Sequence, residues 1–149
     1  STVNELIQKC GGILDGHKFK AYLPGGASGG ILPSAKGDVP LDFGGELTKY
    51  GCFVGSHAIV ILSDKDNLAD VALNLISFFK HESCGQCTPC RNGTEKIINI
   101  IKNNSKWDKD LLSDISEVMA NASICGLGQA ASNPILSVLK FFPKDVGIK

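Results

Sequence analysis

The sequence of 149 residues has no uninterrupted apolar run near the roughly 18 residues that a membrane helix requires, which predicts no direct membrane insertion. It also lacks an excess of charge of either sign. Fifteen Lys and Arg residues balance fifteen Asp and Glu, so no nucleic-acid or lipid surface is called for as a partner. No internal repeat and no low-complexity tract interrupts the chain. The opening Ser1-Thr2-Val3-Asn4-Glu5 is polar and acidic, unlike a secretory signal. What remains is ordinary for a globular protein. Hydrophobic residues make up 43% and charged residues 20%, enough to bury a core in one domain or two small ones.

Six cysteines in a chain of this length admit three disulfides. Three of them, however, fall between Cys84 and Cys90, a spacing that suits a shared metal better than pairing among themselves. Disulfide staples matter most where a core is too small, and this one is not. A reducing compartment, such as the cytoplasm, is therefore expected.

Two halves follow one another. Residues 1–62 read as mixed α and β. Thr2 and Glu5 fit a capping box that opens a short helix, and Gly11-Gly12 closes it. Lys18 to Leu23 alternates with period two, as a half-buried strand does. Pro24-Gly25-Gly26-Ala27-Ser28-Gly29-Gly30 reads as turns and loop. His57 to Leu62 is a compact apolar run, expected as a strand covered on both faces.

From residue 63 to 149 the period becomes helical. The first stripe is Leu68, Val71, Ala72, Leu75, Ile76 and Phe79. Thr94, Ile97, Ile98 and Ile101 form the second, and Leu111, Ile115, Val118, Met119 and Ala122 the third. Asn133 is expected to cap a last helix, with Pro134 at its first position and Ile135, Val138, Leu139 and Phe142 as its stripe. Four amphipathic segments with short connections predict a four-helix bundle.

Glu82-Ser83-Cys84-Gly85-Gln86-Cys87-Thr88-Pro89-Cys90-Arg91 is the most informative stretch. Cysteines spaced C-x2-C-x2-C can each meet a different iron of a cubane, and a fourth thiolate must come from elsewhere. Cys125, at the glycine-rich bend after the third helix, is well placed to supply it. Thr88 as N-cap and Pro89 as first residue put Cys90 in the opening turn of a helix, where free N–H groups and the dipole favour thiolate. Arg91 adds a cation beside an anionic cluster, and all of this raises the reduction potential. Gly85 and Gly126 let the backbone wrap closely. Structural zinc on the same four cysteines is the competing reading. Zinc more often draws on two separated C-x2-C pairs.

The segment from Glu82 to Thr94 resembles the cluster-binding loop of the family of NADH-oxidising flavoprotein subunits. That family includes the flavin subunit of complex I, its counterparts in NAD-reducing hydrogenases and the β subunit of NAD-dependent formate dehydrogenases. Pro24 to Ser28 and Gly51 to Ser56 look like its β-grasp domain of the soluble-ligand-binding (SLBB) type, and Ala122 to Gly128 like the loop that supplies its fourth cysteine.

The resemblance implies an α+β fold: a ubiquitin-like β-grasp domain (1–62) followed by a four-helix cluster-binding bundle (63–149). It implies one [4Fe-4S] cluster on Cys84, Cys87, Cys90 and Cys125, and no catalytic residues. The partners would be other subunits of an oxidoreductase complex, both ferredoxin-like and thioredoxin-like iron–sulfur proteins. Gly30 to Pro33, Pro40 to Phe43, Gln86, Asn92 and Gly126 to Ala131 lean toward the formate dehydrogenase and hydrogenase branch. The family's FMN- and NADH-binding domain has no match here, and Gly25 to Gly30 lacks the G-x-G-x-x-G order. FMN and NAD are thus expected only on an absent or partner domain, and the chain is not expected to oxidise NADH alone. The alternative is a β-grasp module for docking between subunits or for ligand binding, with structural zinc and no redox role.

Other residues carry blander expectations. Cys10 and Cys52 read as buried, inert thiols. His81 reads as a solvated histidine at a helix end, and His17 and His57 take loop and core roles. Phe78 and Phe79 are expected in the core, and the acidic pairs Asp64/Asp66 and Asp108/Asp110 at helix starts. Trp107 either packs over the bundle end or marks a partner contact.

Overall fold

The computed structural model describes residues 1–149, which divide into two compact units, Ser1–Asp66 and Asn67–Lys149. The first unit opens with helix α1 (Val3–Lys9). Its capping box forms as the sequence implies: the Glu5 N–H donates to Thr2 Oγ1 at 3.3 Å, and the Thr2 N–H donates to Glu5 Oε2 at 3.1 Å. Gly11 and Gly12, with φ of 90° and 94°, then turn the chain out of the helix.

The sheet of this unit has three antiparallel strands in the order β2-β1-β3. Strand β1 (Phe19–Leu23) lies centrally, between β2 (Leu32–Pro33) and β3 (Val60–Ser63). Tyr22 pairs with Leu32 on one side and Ile61 on the other. Its ring is wholly buried and its hydroxyl donates to the Lys36 carbonyl at 2.8 Å. Burial pushes this phenol well above its ordinary pKa, with smaller contributions from Cys52 and Tyr50.

The glycine-rich loop is a packing device. A Cβ on Gly25 would run into the backbone of Phe53 and Gly55, and one on Gly29 would stand 2.6 Å from the Phe53 carbonyl oxygen. Backbone lies directly on backbone there. The Ser56 N–H donates to the Gly25 carbonyl at 3.0 Å, and the Phe53 N–H to the Gly29 carbonyl at 3.1 Å.

Three expectations for this unit need correcting. The His57–Leu62 run is not a strand covered on both faces. His57 has a positive φ of 62°, pairing begins only at Val60, and Val60 is 43% exposed because a three-stranded sheet leaves β3 at an edge. Cys52 is buried, but Cys10 is exposed because the chain leaves α1 there. The Asp64/Asp66 pair does not start a helix either. Asp64 accepts the Lys18 N–H at 2.8 Å and Asp66 the Ser63 N–H at 2.6 Å, closing the turn after β3.

The second unit is helical: α2 (Leu68–Glu82), α3 (Thr88–Asn103), α4 (Lys109–Ala122), a short α5 (Gly126–Ala130) and α6 (Asn133–Phe141). Asn67 caps α2 through Oδ1, and Asp108 caps α4 by accepting the Leu111 N–H at 3.0 Å. Helix α2 packs on α3 and α6, and α4 packs on α3, α5 and α6. The core gathers Leu68, Ile76, Ile97, Leu112, Met119, Ile135 and Val138. Trp107, only 2% exposed, packs over the bundle end with its backbone N–H on the Val146 carbonyl at 2.9 Å. The caps of α3 and α6 fall one residue earlier than expected, on Cys87 and Ser132.

Helix α4 presents a different face from the expected one. Leu112, Ser116 and Met119 point inward, while Leu111 and Val118 are 37% and 55% exposed. Met119, common to both faces, packs against Gly93. A Cβ there would lie 2.6 Å from Met119 Cγ, so α3 and α4 approach closely around the Met119 side chain. Phe79 is core, but Phe78 is half exposed. No helix is long and apolar enough to cross a membrane.

Candidate iron–sulfur centre

The site is built where α2 stops and α3 starts. Ser83 takes extended backbone as the C-cap of α2, which carries the chain into the cysteine loop. Gly85, with φ of 74°, makes the turn. Cys87 itself is the N-cap of α3, with Thr88 and Pro89 as the first helical residues, so Cys90 lies in the opening turn. The Arg91 guanidinium binds the loop's own carbonyls, Gly85 O at 2.5 Å and Gln86 O at 3.5 Å. Its charge therefore holds the loop in shape and stands beside the cysteines at the same time. Thr94 Oγ1 donates to the Cys90 carbonyl at 2.8 Å within the core.

The remote cysteine comes to the same end of the bundle. Cys125 is the N-cap of α5, and three observations tie its loop to the first. A Cβ on Gly128 would stand 2.9 Å from Cys90 Cβ and 2.6 Å from Ser123 Oγ. The Cys87 thiol is held below its ordinary pKa, first by the Ile124 backbone N–H and then by that of Cys90, with a smaller contribution from the Ser123 hydroxyl. Helix α5 also packs on α3. Cys90 is buried and Cys87 half-buried, while Cys84 and Cys125 are exposed on the two loops. No three His, Cys, Asp or Glu side chains converge on a point that one metal ion would occupy.

Two serines that sequence reasoning passed over belong to this site. Ser83 Oγ lies 3.2 Å from Cys90 Sγ, and Ser123 Oγ is buried without a hydrogen-bond partner. Neither carries a sequence signal of its own, since serine at a helix end is common. The other residues weighed from sequence stand apart. His81 pairs with Glu82 at 3.0 Å on the surface, and His17 Nδ1 meets Ser63 Oγ at 2.9 Å.

Fold and site together define an α+β protein with a sheet unit, a helical unit and two apposed cysteine loops. Residues 70–148 match the profile of the NADH-ubiquinone oxidoreductase-F iron-sulfur binding region, more than half of the chain, and the protein belongs to that family.

The F subunit of NADH-quinone oxidoreductase from Mycobacterium tuberculosis is 38% identical over 146 residues, covering 95% of this chain and 33% of that one. The HndC subunit of the NADP-reducing hydrogenase of Solidesulfovibrio fructosivorans is 36% identical over 140 residues, covering 91% and 28%. A solved NAD+-reducing [NiFe]-hydrogenase in its H2-reduced state superposes with a TM-score of 0.83 at 24% identity, over 98% of this chain and 25% of that one. The chain thus spans about a third of the length of these curated relatives.

Proposed function

We propose that the chain is an electron-transfer module holding one [4Fe-4S] cluster on Cys84, Cys87, Cys90 and Cys125. The observation that carries this reading is the apposition of the two cysteine loops, with Gly128 against Cys90 and the Ile124 amide beside Cys87. Such a cluster supplies reversible one-electron chemistry.

The residues fit it. The Ile124 and Cys90 amides favour thiolate at Cys87, the opening turn of α3 presents its N-terminal dipole to Cys90, and the buried Ser123 hydroxyl offers an unused donor. Gly128 keeps the approach open. A mononuclear zinc site needs four sulfurs at about 2.3 Å from one ion. Three closely spaced cysteines with one remote partner depart from the two separated C-x2-C pairs usual for zinc and match the four separate irons of a cubane.

Within a larger assembly, electrons arriving singly from a flavin on an absent or partner domain would be relayed to other iron–sulfur subunits, on the cytoplasmic or matrix side. That assembly is of the NADH dehydrogenase, NAD-reducing hydrogenase or NAD-dependent formate dehydrogenase type. The first unit, of β-grasp (SLBB) type on this reading, serves docking. Anaerobic reconstitution followed by iron and sulfide analysis tests the proposal: a brown protein bleached by dithionite supports it, and a colourless one retaining a single zinc refutes it.

A further inference from the structure

Both cysteine loops leave their helices in the same way. Ser83 ends α2 with φ −63° and ψ 131°, and Ser123 ends α4 with φ −72° and ψ 143°. Each keeps its N–H in the helix ladder, on the carbonyls of Phe79 and Met119. Neither hydroxyl is spent on that capping. Ser83 Oγ accepts the Gly85 N–H at 3.2 Å, while Cys90 Sγ stands 3.2 Å away. A serine has one proton to give, and a thiolate can only accept. With the Cys90 sulfur bound to the cluster, Ser83 is therefore the donor.

Ser123 Oγ is buried without a hydrogen-bond partner, and it borders the same point as Cys90: a Cβ on Gly128 would stand 2.6 Å from Ser123 Oγ and 2.9 Å from Cys90 Cβ. A buried hydroxyl without a partner is costly, and a thiolate or sulfide sulfur at this place satisfies it.

We propose that Ser83 and Ser123 are a matched pair of positioning hydroxyls that raise the reduction potential of the centre, Ser83 by donating to the Cys90 sulfur and Ser123 by donating to a sulfur of the centre beside the Gly128 contact. The inference rests on the cluster reading above. Donors to sulfur favour the more negative, reduced state, so their loss lowers the potential.

The test is a potentiometric titration of the full 149-residue chain, reconstituted anaerobically with ferrous iron and sulfide and followed by EPR. Ser83→Ala and Ser123→Ala each lower the equilibrium constant for one-electron reduction about tenfold, a fall of about 59 mV. Ser83→Thr and Ser123→Thr stay at the parent potential. Where alanine disturbs loading, the isosteric pair of threonine and valine at each site carries the same comparison. Hydroxyl-free variants that load fully at the parent potential overturn the proposal, as do threonine variants displaced as far as the alanine ones. A parent chain that takes up no iron and sulfide overturns the cluster reading itself, a separate result.

Discussion

Two glycines of the remote loop, two residues apart, give opposite expectations. Gly128 has no room for a methyl group. Its Cβ would lie 2.6 Å from both Ser123 Cβ and Ser123 Oγ and 2.9 Å from Cys90 Cβ. None of these atoms is the far end of a flexible chain, so α5 must move away from α3. Overpacking of this kind costs about 1–3 kcal/mol. Gly126, the first residue of α5, meets nothing within 4 Å of an added Cβ. Alanine there restricts the unfolded chain and stabilises by about 0.4–1 kcal/mol. For a chain of this size, 1 kcal/mol corresponds to about 2–4 °C in melting temperature. The melting temperature of Gly128→Ala is thus expected to fall by about 2–12 °C in the cluster-free chain, while that of Gly126→Ala holds level or rises. Thermal melts by far-UV circular dichroism give the comparison. A Gly128→Ala chain as stable as its parent refutes the close approach of the two loops.

Gly85→Ala places a side chain at φ 74° and is expected to cost about 1–2 kcal/mol, read as a lower urea midpoint with an unchanged slope. Ile76→Ala, at a fully buried α2 position, costs about 2–5 kcal/mol by the same assay, and a loss below about 1 kcal/mol contradicts its place in the core. Tyr22 has a raised folded pKa, so its contribution is fully present below the unfolded value of about 10 and is lost as pH rises beyond it. Unfolding of the first unit above about pH 10 is expected to be less steep in Tyr22→Phe, and equal pH slopes in the two chains count against the burial argument. Asp64 has a lowered pKa through the Lys18 N–H, so its contribution is present above about pH 4 and lost on acidification. Asp64→Asn is expected to flatten the acid limb of the stability curve, and an unchanged limb argues against that bond.

The elements legible in the sequence were those with local signals. The capping box at Thr2 and Glu5 and the C-x2-C-x2-C loop from Cys84 depend on residues a few positions apart, and both appear where the spacing put them. What depended on distant partners was not legible. Met119 lies on both the expected and the observed face of α4, and the packing of α3, α5 and α6 around that helix, not its own sequence, buries Leu112 and Ser116 in place of Leu111 and Val118. The exposed edge of β3 follows from the number of strands in the sheet, which the Val60–Leu62 composition does not encode. At the candidate centre the cysteine spacing is visible in the sequence, while the nearness of Ser83 to Cys90 and of Ser123 to Gly128 arises only once two helix ends stand side by side. Arg91 was expected as a bare cation, and its grip on the Gly85 carbonyl emerged from the folded loop.

The most direct measurement is iron and acid-labile sulfide content, with the EPR spectrum of the reduced protein, for the parent chain and Cys125→Ser reconstituted side by side. Four thiolates on two converging loops predict about four iron and four sulfide in the parent, and loss or conversion of that centre in the variant. An unchanged four-iron signal in Cys125→Ser, or a parent that binds one zinc and no sulfide, contradicts the account.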